Sequence, residues 1–135
     1  MTSEEVDNRP ANVLNVLLSH LSDYGGGNLI FKDRGIALTS SVYHALKEYE
    51  QQGKLTISID EIINNLSLEK VVTMQRDDEN LTPETRHRLL RYLKNTGPYD
   101  ENRPFEELDQ ELAKQHGFGQ SYVIRTVSYM VEACN

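Results

Sequence analysis

The residues best equipped for chemistry lie on one short stretch: Arg86, His87, Arg88, Arg91 and Lys94. On a helix, positions 87, 91 and 94 are surface neighbours, as are 88 and 91, so the stripe can line up donors for phosphates or meet an acidic partner. The same residues have a structural reading. Cations toward a helix C-terminus complement its dipole, and Glu106, Glu107, Asp109 and Glu111 on the following helix would neutralise the stripe within the fold. A second group, Gln120, Ser121, Tyr122, Arg125, Ser128 and Tyr129, offers hydrogen-bonding side chains with a single cation.

Catalytic and metal chemistry find little in the sequence. His20, His44, His87 and His116 show neither H-x-x-x-H nor H-E-x-x-H spacing. Gly25-Gly26-Gly27 lacks the Gly-Lys-Ser/Thr that completes a phosphate loop and reads as a helix stop. Asp60-Glu61 suits a helix first turn, and no serine sits in a G-x-S-x-G elbow. A non-enzyme without metal or cofactor is therefore expected. The single cysteine, Cys134, allows no internal disulfide and no Cys-based zinc cluster within one chain, which fits a reducing, cytoplasmic setting. The N-x-S/T matches at Asn65 and Asn80 matter only after secretion, and the polar, acidic start of the chain does not read as a secretory signal.

The elements that position these groups follow from hydrophobic period and caps. At 135 residues the chain fits one compact domain, 38% hydrophobic and 26% charged, with apolar stretches far shorter than the roughly 20 residues that cross a bilayer. Residues 1–9 read as a disordered tail. Pro10 opens a helix through Leu17, Leu18 and Tyr24 that stops at the glycines. Asn28 to Leu38 is open between a short strand with a turn and an irregular helical turn. Thr39 or Ser40 caps a helix through Val42, Leu46 and Tyr49 to Gly53. Lys54 to Ile57 is β-prone, Ser58 with Glu61 makes a capping box, and a further piece runs from Ser67 until Arg76 to Asn80 break the period. Thr82, Pro83, Glu84 and the stop at Gly97-Pro98 mark the clearest helix. Pro104 opens another, closed by Gly117, and a last helix starts near Ser121.

Two halves emerge, 10–76 and 81–135. Leu17 to Gly25 aligns with Leu89 to Gly97, which suggests related three-helix units. In the second half, Leu108, Leu112 and Ala113, the Gly117-Phe118-Gly119 turn, and inward Ile124 and Val127 suit a helix-turn-helix. In the first, Thr39 to Lys47 followed by Gln51 to Ile57 resembles the recognition helix and wing of winged-helix proteins. That resemblance covers about 20 residues and implies a DNA-binding fold; helix-turn-helix units also serve as protein-binding modules.

The expected architecture is thus mainly all-α, with six to seven short helices in two helix-turn-helix-like units packed as one compact domain, and a small β-ribbon around Asn28–Lys32 and Lys54–Ile57. The leading expectation is a small regulatory protein that binds DNA, as a homodimer, through Arg86, Arg88, Arg91, Lys94, Gln120, Tyr122 and Arg125. A net charge of −7 opposes non-specific attraction to nucleic acid, so binding needs a local basic face. The nearly equal alternative is an acidic protein-binding module, an adaptor, inhibitor or immunity-type protein, meeting a basic partner through Glu106, Glu107, Glu111 and Tyr129. With seven Tyr against three Phe and no Trp, ring anchors at the border of core and surface would be tyrosines.

Overall fold

Helix caps written into the sequence start most of the elements. In the computed structural model, which describes residues 29–134 and the isolated helical Asn15, Ser58 Oγ accepts from Glu61 N at 3.1 Å to open α2 (Ile59–Asn64). Ser67 Oγ accepts from Lys70 N at 3.2 Å to open α3 (Leu68–Gln75). Thr82 Oγ1 accepts from Thr85 N at 3.3 Å, and Pro83 stands at the first position of α4 (Pro83–Thr96). A 3-10 turn, Phe105–Glu107, leads to α5 (Gln110–Cys134), and α1 (Leu29–Gln51) precedes them all. Side chains are described from Phe31 to Ser128.

The chain is mainly helical, as expected, but its two longest helices replace segments expected to be broken. α1 runs for 23 residues without the strand or turn anticipated at Asn28 to Leu38. α5 runs for 25 residues through Gly117-Phe118-Gly119, where a turn was expected. One cause serves both. Gly35 and Gly119 lie where the helices cross: a Cβ on Gly35 would stand 3.1 Å from the Tyr122 ring, and a Cβ on Gly119 would stand 3.0 Å from Arg34 Cβ. Phe31 and Phe118 stack beside the crossing with ring centroids 4.6 Å apart. These glycines serve close approach rather than chain reversal. Five α-helices form among the described residues, and two of them, α1 and α5, are longer than the short helices expected.

No strand forms among the described residues, so the β-ribbon is corrected as well. Residues 29–32 belong to α1. Residues 55–58 belong to no helix or strand, and the Ile57 amide donates to Glu50 Oε2 at 2.8 Å, which supplies the acceptor a neighbouring strand would have offered. Thr39 to Lys47, likened above to a recognition helix, sits in the middle of α1 with no turn before it. The tail at 1–9, the helix expected from Pro10 to Tyr24, and the first member of the proposed duplication lie outside the described residues, Asn15 excepted.

The core is one apolar cluster reaching from α1 to α5. α1 packs along α5 and α4, and α3 packs on α4. Leu38, Leu46, Leu89, Leu93 and Leu112 are fully shielded, and each such side chain contributes about 1.5–3 kcal/mol relative to an exposed one. Within this apolar mass sits His116, 1% exposed. One ring nitrogen, Nδ1, lies 2.7 Å from the Tyr92 hydroxyl, and the other, Nε2, lies 2.7 Å from the Leu66 carbonyl. A carbonyl only accepts, so Nε2 carries the proton and Nδ1 accepts from Tyr92. The imidazole thereby ties α4 and α5 to the link between α2 and α3.

Candidate functional site

Two charged faces stand out, and each is held by identifiable contacts. The acidic one is the connection from α4 to α5. Gly97 ends α4 against α5, where a Cβ would lie 2.9 Å from Leu112 Cα. Tyr99 then turns inward, and its hydroxyl donates to Gln75 Oε1 and accepts from Arg76 Nε at 3.1 Å. The Arg76 guanidinium lies over the Tyr99 ring, 5.6 Å from its centroid, and Nη2 donates to the carbonyls of Arg103 (2.7 Å) and Asp100 (3.4 Å). One side chain at the end of α3 thus fixes the path of residues 99–103. Further on, Asp109 Oδ1 accepts from Glu111 N at 2.8 Å at the start of α5.

This scaffold leaves Asp100, Glu101, Glu106, Glu107, Asp109 and Glu111 exposed on one ordered segment whose own cation, Arg103, is held 3.6 Å from Asp100. A cleft of about 360 Å3 opens beneath, between Pro98, Tyr99, Leu108 and the Asp100–Arg103 pair. Of the residues expected to meet a basic partner, Glu106, Glu107 and Glu111 lie on this segment, and Glu111 Oε1 accepts from Gln115 at 2.7 Å. The side chain of Tyr129 lies outside the described residues.

The basic face is built on α4. Arg86 leaves the expected stripe, because its Nη1 pairs with Asp78 Oδ1 at 2.7 Å and its side chain is 26% exposed. Arg88, Arg91 and Lys94 are exposed, and they make no hydrogen bond or ion pair with the described residues. The acids of the following segment, expected to neutralise them, form no ion pair with them either; among the described residues the ion pairs are Arg86–Asp78 and Arg103–Asp100. With Glu84 and His87, Arg88 and Arg91 border a shallow cleft of about 260 Å3.

Sequence spacing could not show that α1 contributes to this face. His44, half-buried, holds its proton less tightly than usual, first because of burial and then because Arg88 and Lys47 lie close enough to repel it, against a weaker opposite pull from Glu48. Glu48 is otherwise engaged. It accepts from Thr82 N at 2.8 Å, from Thr82 Oγ1 at 3.0 Å and from Thr85 Oγ1, capping α4 from outside. Although partial burial raises the proton affinity of Glu48, these donors outweigh it and the net shift is downward.

The remaining nucleic-acid candidates are placed differently. Arg125 is exposed, whereas Gln120 and Tyr122 are partly buried and the Tyr122 ring packs against Gly35. With no turn at Gly117 to Gly119, this part of α5 belongs to one long helix instead of a separately presented recognition helix. Among the described residues, no three of His, Cys, Asp and Glu converge as metal ligands, and no helix is long and apolar enough to cross a membrane. Compared with protein-family models, curated proteins and solved structures, the chain matches none.

Proposed function

We propose that this chain is a non-catalytic protein-binding module whose acidic segment, residues 100–111, docks a basic partner protein. The observation that carries the reading is the way that segment is held: Arg76 binds the carbonyls of Asp100 and Arg103 at its start, while its acidic residues are exposed with one local cation, Arg103, among them. Preorganisation matters because ordering a flexible acidic loop on binding would cost part of the affinity that charge complementarity supplies. The competing expectation, DNA contact through helix-turn-helix-like elements, draws less support, because one helix runs on through residues 29–38 and another through Gly117 to Gly119.

The test is kinetic. A basic partner captured on the immobilised chain should associate quickly at low salt and more slowly as salt rises. Glu106→Lys, Glu107→Lys and Glu111→Lys together should slow association by about tenfold or more with less effect on dissociation, as expected for charges at the edge of a contact. An association rate untouched by the triple reversal at low salt would refute the reading.

A further inference from the structure

We propose that the face shared by α1 and α4 is a second, independent binding site, for the backbone phosphates of duplex DNA. Lys47 from α1 and Arg88, Arg91 and Lys94 from α4 are exposed and make no hydrogen bond or ion pair with the described residues. His44 stands close enough to Arg88 and Lys47 to feel both charges.

Two structural explanations for such a cluster fall short here. Helix-dipole complementarity accounts for Lys94 in the last turn of α4, but Arg88 and Arg91 sit further in, beyond the reach of the terminal partial charge. Internal neutralisation would need acidic partners. Glu48 spends its carboxylate on Thr82 and Thr85, Asp78 is taken by Arg86, and Glu84, one turn before Arg88, forms no ion pair with it. A chain of net charge −7 therefore gathers cations on one side of two packed helices, and although Glu84 borders the same cleft, none of them forms an ion pair among the described residues.

Phosphate suits what is offered. Arginine presents a planar fork of donors that matches phosphate oxygens, and the i, i+3 spacing of Arg88 and Arg91 sets two forks side by side along a helix. Cations from two helices give the face width as well as length, which fits successive phosphates of a duplex backbone. Among the described residues no base-reading element accompanies them, so the contact proposed is independent of sequence.

The experiment is fluorescence anisotropy with a labelled 20-base-pair duplex of mixed sequence, titrated with the full chain between about 20 and 200 mM salt. Wild type should bind at micromolar concentration at low salt, with affinity falling linearly on a log–log plot. Arg88→Ala with Arg91→Ala should weaken binding about tenfold or more at the lowest salt and flatten the slope by nearly two, about one per lost phosphate contact. Lys47→Ala should flatten it by nearly one, whereas Arg125→Ala on α5 should leave it unchanged. Both arginines are exposed and without partners among the described residues, so the variants should keep the wild-type circular dichroism and melting temperature. No binding by wild type at 20 mM salt, or a slope the double variant does not change, would overturn the site. Neither result bears on the acidic segment, whose carboxylates the assay leaves intact.

Discussion

At the scale of single residues, His116 governs how stability responds to mild acid. Burial lowers the proton affinity of its imidazole below the ordinary histidine value, and the bond to the Leu66 carbonyl opposes that shift without cancelling it. The unfolded chain would take up a proton near pH 6.5 while the folded chain still refuses it. The contribution of His116 to stability should therefore be steady above about pH 7 and fall as pH drops through 6.5 toward the lower folded-state value. Urea unfolding at pH 7.5 and 5.5 checks this. His116→Gln should be less stable at both values but should show a smaller difference between them, the remainder belonging to His44, which is shifted the same way; an unchanged difference would assign it elsewhere. Glu48 acts in another window, since its lowered proton affinity contributes stability that is lost only as pH falls below the ordinary carboxylate range. Glu48→Ala strips acceptors from Thr82 and Thr85 and should cost about 1–2 kcal/mol in the same assay.

At the scale of elements, two glycines two residues apart have opposite roles in α5. A Cβ on Gly117 would meet nothing within 4 Å, so Gly117→Ala should stabilise by about 0.5–1 kcal/mol through helix propensity alone. A Cβ on Gly119 would press on Arg34 backbone as well as side chain, at 3.1 and 3.0 Å. Gly119→Ala should force α1 and α5 apart and lower the melting temperature, at a cost of about 1–3 kcal/mol. Shifts of the same sign in both variants would refute this account of the crossing. The pair also shows what the sequence could reveal. Ser58, Ser67, Thr82-Pro83 and Gly97 mark their helix ends through local chemistry, and those boundaries are observed close to where the signals put them. Gly35 and Gly119 carry the same letter as a turn glycine, and only the approach of a distant helix tells them apart. The candidate site divides likewise: the α4 stripe followed from spacing, but the loss of Arg86 to Asp78 and the arrival of His44 and Lys47 depend on tertiary packing.

At the scale of the whole molecule, Arg76 ties the end of α3 to the loop after α4 and gives the acidic segment its shape. Arg76→Ala should free residues 99–103 while leaving the helical core folded. Cleavage by a glutamate-specific protease after Glu101, Glu106 or Glu107 should then accelerate several-fold, with little change in circular dichroism. An unaltered cleavage rate would mean that the segment owes its order to Tyr99, Phe105 and Leu108 alone, all of which are at least partly buried.

The inward-turned phenols have an optical consequence. The chain has no tryptophan, so its near-ultraviolet absorbance and intrinsic emission come mainly from tyrosine. Tyr49 donates to Asp77 at 2.8 Å, Tyr92 to His116, and Tyr99 to Gln75. Burial, joined by Asp77 in the case of Tyr49, makes all three hold their protons to higher pH than free phenols. An unfolded chain would release those protons near pH 10, so alkali draws the equilibrium toward unfolding. Phenolate absorbance should consequently rise in two stages, a gradual one from accessible rings and a steep one in which ionisation and loss of helix coincide. The natural spectrum of the protein thus doubles as a gauge of its folding, with no label added.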